Sequence, residues 1–452
     1  MKFWTLDRVA AALAGSITTS PPRGNRELTG VTTDSRAIMP GQLFVALVGE
    51  NFDGHEFVRA AVADGAAAVV VSRRLPLGEI GVPVYEVDDT LVALGQLGSY
   101  WRQVWGKTVI AVAGSNGKTT TKDIIRAALS GEREVHATTG NLNNRIGVPL
   151  TLLAIPASAE VAVVEVGTNL PGEVAILRDI ALPDVAVVTS IGEEHLEGLG
   201  DLAGVLREEV AIFKGVGVGI APSSQPEIAA MARALPESFI EAGLDDGDVK
   251  PTGWSIGADG AGVIEIGDVV VAPPLRGLHN LRNAMLAVAV SRVCGVSDAS
   301  AGAGIGAMQV PRMRVALEKL GMATLINDAY NANPGSTRAA LELLGGMGPD
   351  RQRVVVLGTM RELGAASARC HDDISRLALD GPADVVAGIG EFEHSLERVA
   401  PGDSRVVTAA SVDELWELLE SRIAPDAVIL LKASRGVKLE QMIPHLTTWA
   451  TH

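Results

Sequence analysis

Sulfur chemistry is scarce in this chain. Only two cysteines, Cys294 and Cys370, occur in 452 residues, far apart and without metal-type spacing. That excludes a disulfide framework and favours a reducing compartment. Aromatic residues make up 4%, and positive charge is in deficit, 38 Lys+Arg against 54 Asp+Glu for a net charge of -16. No basic run interleaves with aromatics, so a nucleic-acid partner is not expected. Long apolar runs are missing as well. The opening Met1-Lys2-Phe3-Trp4-Thr5-Leu6-Asp7-Arg8 has no signal-peptide core, and no stretch approaches the roughly 20 residues of a spanning helix. The expectation is a cytoplasmic, soluble protein without stable membrane insertion. Zinc His-Glu-x-x-His, Ser-His-Asp elbow and Cys–His patterns are also absent.

Apolar residues are nonetheless 47% of the chain and charged ones 20%, enough for packed cores. The length suits about three domains. One stretch organises the rest: Val109-Ile110-Ala111-Val112-Ala113, then Gly114-Ser115-Asn116-Gly117-Lys118-Thr119-Thr120-Thr121. An apolar strand runs into a glycine-bounded turn, and Ile124, Ile125, Ala128 and Leu129 follow at helix spacing. Glycines let backbone N–H groups curl inward, and a helix N-terminus adds partial positive charge. Lys118 can reach the outer phosphates, and the Thr119 hydroxyl can take a place on Mg²⁺. The loop is shorter than the general P-loop, with Val112 where that pattern has glycine. A nucleoside triphosphate, ATP, is the expected ligand.

Residues 1–85 read as a small α/β unit, with strands at Gln42–Leu47 and Ala67–Val71 and a helix through Phe57, Ala60, Ala61 and Ala63. From 86 to 310 strands and helices alternate about the cradle. Val161–Gly167 and Val185–Gly192 are continuous apolar runs, which suit a parallel sheet covered on both faces. Such sheets bind ligands at the carboxyl ends of their strands, so the cradle, Glu165 and His195 are expected to converge. Residues 215–275, rich in Gly, Pro and Asp, read as an irregular insertion with short strands. From 311 to 452 a third α/β unit follows, with strands at Thr324–Asp328, Val354–Gly358, Asp384–Gly388 and Val428–Lys432.

Glu165, at a strand end beside a phosphate cradle, is a natural Mg²⁺ ligand, direct or through water. His195 reads as a second ligand or as a polar loop residue. Asn280 and Asn283 lie near one face of a helix, suited to a base edge or to a cap. Arg312 and Arg314 sit where an arginine can close onto a triphosphate. Lys432, Ser434 and Arg435 end a strand with two cations and a hydroxyl that can seat a carboxylate.

With these residues in view, nearly the whole chain resembles the Mur ligases, an α/β family of three domains. Its central domain is a P-loop parallel-sheet ATPase, and its C-terminal domain is Rossmann-like. Thr33-Asp34-Ser35-Arg36 and Pro40-Gly41-x-Leu43-Phe44-Val45-Ala46-Leu47 look like the family's UDP-sugar domain. The cradle matches the short family form. Gly140-Asn141-Leu142-Asn143-Asn144-Arg145-Ile146-Gly147-Val148-Pro149 is similar to the loop that meets the muramyl substrate. His195-Leu196-Glu197-Gly198 and Gly277-x-His279-Asn280-x-x-Asn283 match too. Asp328-Ala329-Tyr330-Asn331-Ala332-Asn333-Pro334, and Leu357-Gly358-x-Met360-x-Glu362-Leu363-Gly364 followed by His371, resemble the branch that adds a D-alanyl-D-alanine dipeptide. Thr359 stands where the family commonly has Asp.

The resemblance implies ATP and Mg²⁺ as cofactors, and UDP-N-acetylmuramoyl-tripeptide and D-alanyl-D-alanine as substrates of a monomeric ligase. It implies substrate contacts at Ser35, Arg36, Asn141, Asn143, Asn144, Tyr330 and Asn333, and nucleotide contacts at Arg314, Asp328 and Asn331. Lys118, Glu165 and His195 are its catalytic group. Folylpolyglutamate synthase is a rival of the same architecture, but its cradle runs Gly-Lys-Gly-Ser. A non-catalytic nucleotide-binding relative is a rival of another class. The family also commonly has a carbamylated lysine fourteen positions after the histidine matched by His195; here Glu209 stands there. Glu209 either replaces the carbamate as a metal-facing carboxylate or is a solvated helix acid.

Overall fold

The computed structural model describes residues 3–74, 80–310, 313, 315–348, 350–381 and 383–451. The chain gathers into two compact units, each assembled from separate stretches. The first takes the chain up to Ala111, then Glu134–Gly167 and Glu173–Asp184; the second takes Val112–Arg133, Thr168–Gly172 and Val185 onward.

In the first unit, strands Val31–Thr32, Leu43–Val45, Ala68–Val71 and Val84–Glu86 form a parallel sheet in that order. Alternate residues feed opposite faces: Leu43, Val45 and Val70 enter one apolar cluster, Phe44, Val69 and Val71 the other. That two-sided burial is why these strands read as unbroken apolar runs. Helix Val58–Ala63 covers the second face with Val58 and Ala61. Helix Thr90–Trp105 covers the first with Ala93, Leu94 and Leu97. Its start is fixed by Asp89, which accepts from the N–H groups of Leu91 and Val92, and it ends at Gly106 in the left-handed region. Strands Val135–Ala137 and Val161–Glu165 pair in parallel and bring Glu165 to a strand end.

Strand Thr108–Ala113, buried from Val109 onward, carries the chain into the second unit. There strands Val185–Val188, Val218–Pro222 and Ser238–Ala242 pair in parallel. This corrects the reading of 215–275 as irregular. Two of its strands continue a parallel ladder, and the remainder is a three-stranded antiparallel sheet of Gly253–Ile256, Gly262–Ile266 and Val269–Val271. Gly247, Gly260 and Gly267, all at positive φ, lie between these short strands.

The last part of this unit is a six-stranded sheet. Its order is Ala316–Leu320, Ala323–Asp328, Val428–Lys432, Arg353–Gly358, Val385–Ile389 and Val406–Ala409, parallel except for the first pair. The register sets Asp328 beside Lys432 and Lys432 beside Leu357, so three strands deliver their carboxyl ends to one edge. Helix Pro334–Gly346 leaves that edge through a capping box of Asn333 and Ser336, with proline in its first turn. Among the described residues no helix is long and apolar enough to cross a membrane.

Candidate active site

The cradle lies in the second unit and is a product of its glycines. Gly114 has φ 117° and Gly117 φ 83°, values that side chains other than glycine's rarely adopt. A Cβ on Gly114 would sit 2.5 Å from Thr189 Oγ1 and 2.7 Å from the Thr189 nitrogen. The backbone is therefore pressed against the loop that follows Val185–Val188. Ser115 N–H donates to the Ser190 carbonyl at 2.7 Å, Asn116 N–H to Ser190 Oγ at 3.0 Å, and Gly192 N–H to Ser115 Oγ at 2.8 Å. Helix Lys118–Leu129 starts directly from this turn. Thr120 is buried in its first turn.

Lys118 Nζ donates to the Gly114 carbonyl at 2.5 Å, the Ser115 carbonyl at 3.3 Å and Glu194 Oε1 at 3.2 Å. The ammonium is thus held over its own loop. Glu194 is buried, and its other oxygen accepts from Asn333 Nδ2 at 3.4 Å. Asn333 Nδ2 also donates to Asn116 Oδ1 at 2.8 Å, tying the cradle to the loop that follows strand Ala323–Asp328. Asn333 therefore caps a helix and bridges to the cradle at once.

Glu209, on helix Leu202–Val210, is only 1% exposed, which removes the solvated-acid reading. Its Oε2 accepts from the Gly114 N–H at 2.7 Å, and its Oε1 is buried with no hydrogen-bond partner among the described residues. Desolvation pushes its pKa up to about 7, with Glu194 adding to the rise and Lys118, the Gly114 N–H and His195 opposing it. His195 adopts a left-handed backbone (φ 52°), and its Nδ1 lies 2.5 Å from Glu362 Oε2. Burial works against charge on this ring, but the Glu362 bond and nearby Glu194 outweigh it and raise the pKa.

A cavity of about 180 Å³ opens beside this group, lined by Glu194, His195, Asn331, Asn333, Arg361, Glu362, Ser434 and Arg435. Arg361 N–H donates to Ser434 Oγ at 3.0 Å, and Arg435 Nη1 donates to Glu440 Oε1 at 3.0 Å. Lys432 is placed differently from the carboxylate seat expected of it. It is buried, with Nζ 2.5 Å from Asp328 Oδ2 and 2.8 Å from the Asn331 carbonyl, so its charge is matched by Asp328. Tyr330 is half-buried in the same loop. Asn280 and Asn283 are buried together: Asn280 Nδ2 donates to the Arg276 carbonyl at 2.7 Å, and Asn283 Nδ2 to Asn280 Oδ1 at 3.3 Å. Asn283 also packs under Gly117, so it shapes the cradle floor. Arg312 and Arg314 lie outside the described residues.

The remaining expected residues belong to the first unit. Glu165 is buried; its Oε1 accepts from Asn143 Nδ2 at 2.9 Å, and its Oε2 has no partner among the described residues. Asn144 Oδ1 receives the N–H groups of Ile146 and Gly147 and so starts helix Gly147–Leu153. Asn141 is exposed. Ser35 and Arg36 form a short turn in which Arg36 pairs with Asp34 and holds that carboxyl down at about 2.

Glu194, Arg361 and Glu362 were not singled out as site residues from sequence. Glu194 had a signal, since it directly precedes His195. Arg361 had none of its own, and Glu362 stood only as a position of the Leu357–Gly364 motif with no role attached; only the sheet edge brings their loop to His195.

Three family descriptions match the chain: the Mur ligase family catalytic domain over residues 27–102, the Mur ligase middle domain over 112–291 and the Mur ligase glutamate ligase domain over 311–435. The UDP-N-acetylmuramoyl-tripeptide–D-alanyl-D-alanine ligase of Bacillus subtilis is 35% identical over 455 residues, with 98% of each chain covered. The Escherichia coli enzyme of that name is 35% identical over 428 residues, covering 92% of this chain and 93% of its own. Among solved structures, MurF from Acinetobacter baumannii superposes with a TM-score of 0.89 at 30% identity, covering 98% of this chain and 99% of that one. MurF from Thermotoga maritima in complex with ADP gives 0.83 at 25% identity, covering 93% and 98%. A short phosphate cradle gripped by a histidine-bearing loop, followed by a parallel sheet that brings its own polar edge to that loop, is thus matched along its full length, and the chain belongs to the Mur ligase family.

Proposed function

We propose that this chain uses ATP to join D-alanyl-D-alanine to UDP-N-acetylmuramoyl-tripeptide, giving the pentapeptide precursor of peptidoglycan. One observation supports it most: Lys118 and Asn116 of the cradle, with Glu194 of the neighbouring loop, meet Asn333 at the edge of the last sheet. A phosphate site thereby adjoins a cavity carrying Ser434, Arg435 and Arg361. A carboxylate is a poor electrophile, so the reaction begins with transfer of the γ-phosphoryl group of ATP to it. The dipeptide amine then attacks the acyl phosphate and phosphate leaves. Lys118 neutralises phosphate charge, and the residues around it hold the groups in line. Arginine and serine in the cavity suit the dipeptide's free carboxylate, leaving its amine to react.

Residues 1–85 are assigned to the UDP-sugar, 86–310 to ATP and 311–452 to the dipeptide. Magnesium fits the donors present. Glu209 offers a buried oxygen with no partner among the described residues, next to His195 and a cradle with Thr119 behind Lys118. On the first unit, Glu165 has an oxygen of the same kind to offer. Among the described residues no three His, Cys, Asp or Glu side chains form a cage, which suits a hydrated ion shared with phosphate oxygens. When bound, the ion would neutralise those oxygens. We place the enzyme in the cytoplasm as a monomer.

The test is a product assay with UDP-muramyl-tripeptide, ATP, Mg²⁺ and D-alanyl-D-alanine. Phosphate release should need all four, and the product should be heavier by the dipeptide. Protein that binds or hydrolyses ATP without ever forming that product would instead be a nucleotide-binding relative.

A further inference from the structure

Glu362 is held in an uncomfortable position for no evident gain in folding. Its backbone is left-handed, φ 64°, a conformation unfavourable for a residue that carries a side chain. Its side chain is 54% exposed, and ion pairs so open to water contribute little stability. Yet the surrounding bonds leave the residue little choice. Met360 N–H donates to buried His371 Nε2 at 2.9 Å, Arg361 N–H to Ser434 Oγ at 3.0 Å, and the Glu362 carbonyl accepts from Glu197 N–H at 3.1 Å. The carboxylate is thereby delivered to His195 Nδ1 at 2.5 Å, and His195 too is left-handed. Two residues in an unfavourable conformation meet through one hydrogen bond.

We propose that Glu362 is a positioning residue for His195. By accepting Nδ1–H it fixes the ring's orientation and leaves the Nε2 lone pair facing the Glu194 side of the cavity, where Nε2 lies 3.8 Å from Glu194 Oε2. Histidines that ligate metals are commonly held this way, with the second nitrogen donated to a carboxylate. The residue that orients the ligand here comes from the loop after Arg353–Gly358, the one whose neighbours line the proposed dipeptide cavity. The nucleotide's metal site and the dipeptide site would then be set by one loop. This inference rests on His195 being a metal ligand.

The experiment compares wild type with E362G, E362Q, H195A and the double variant H195A/E362G. Affinity for Mn²⁺ is read by electron paramagnetic resonance with saturating ADP, together with melting temperature and the split of kcat against KM for ATP. Glycine removes the carboxylate but relieves the left-handed backbone, so E362G should melt no lower than wild type. It should nevertheless bind Mn²⁺ about 10–100-fold more weakly. E362Q, which can still accept Nδ1–H, should lose less. H195A should weaken Mn²⁺ as well, and the double variant should match H195A alone. Unchanged Mn²⁺ affinity in E362G alongside a weakened H195A overturns the role of Glu362. Unchanged affinity in H195A overturns the ligand reading and this inference with it.

Discussion

Two buried side chains illustrate how much chemistry a single position can hold. Glu209 spends one oxygen on the Gly114 N–H and keeps the other dry, beside Lys118 and Glu194. We propose that Glu209 stands in for the carbamylated lysine expected at this position, offering its free oxygen to the metal. E209Q should stay folded, need several-fold more Mg²⁺ and turn over at least about 10-fold more slowly, as phosphate release against Mg²⁺ would show. Bicarbonate depletion should not affect the wild type. An E209Q rate and Mg²⁺ curve equal to wild type would reduce Glu209 to packing. His371 makes a different case. Its Nε2 accepts from Met360 N–H while Nδ1 lies 2.8 Å from the Ser367 carbonyl, so Nδ1 carries the proton and the ring is neutral. Burial lowers its pKa, opposed by the Ser367 carbonyl and the nearby Glu391 and Asp372 charges. The unfolded chain therefore takes up a proton below about 6.5 before the folded one does, and stability falls as pH drops from there toward the lowered folded value. Urea midpoints at pH 7.5 and 5.5 should show wild type losing more stability than H371Q over that interval. Equal losses would mean that the ring is already charged when folded.

At the scale of elements, the strand–turn–helix of the cradle is the least forgiving piece. G114A should cost more than about 3 kcal/mol, because strain at a positive φ adds to a clash with Thr189 backbone and side chain that cannot move aside. A denaturant midpoint close to wild type would show that the turn can relax. This element was legible because glycines, lysine and threonines act where they stand in sequence. The strands buried on both faces were legible for a related reason: Ala67–Val71 was read where the strand is Ala68–Val71, and Val161–Gly167 where it ends at Glu165. Strand Ala316–Leu320 escaped because it alternates partly and fully exposed residues along the sheet edge and has no apolar run. Val406–Ala409 escaped as a short edge strand. The Glu362–His195 pair was illegible from residues alone, since 167 positions separate partners that only sheet topology brings together.

For the whole molecule, ligand binding should be visible as stability. ADP at about 100 times its dissociation constant should add about 2.7 kcal/mol to the unit that holds the cradle, raising its melting temperature. K118A should remove turnover and most of that shift while keeping the circular dichroism of the wild type. A full ADP shift in K118A would sink the phosphate role of the lysine.

The interlaced make-up of the two units has a further consequence, felt during synthesis. The chain passes from one unit to the other after Ala111, Arg133, Gly167, Gly172 and Asp184, so neither can be finished before the other has begun. Gly114 emerges 95 residues ahead of the Glu209 that braces it. At about 5–20 residues synthesised per second the nascent cradle waits about 5–20 s for that partner. Through that interval the Gly114 N–H lacks the carboxylate that accepts from it in the finished fold. A message truncated between the codons for Thr121 and Glu209 would therefore yield a chain that carries every recognisable nucleotide-binding residue of the loop and no finished site, a natural client for chaperones and proteases.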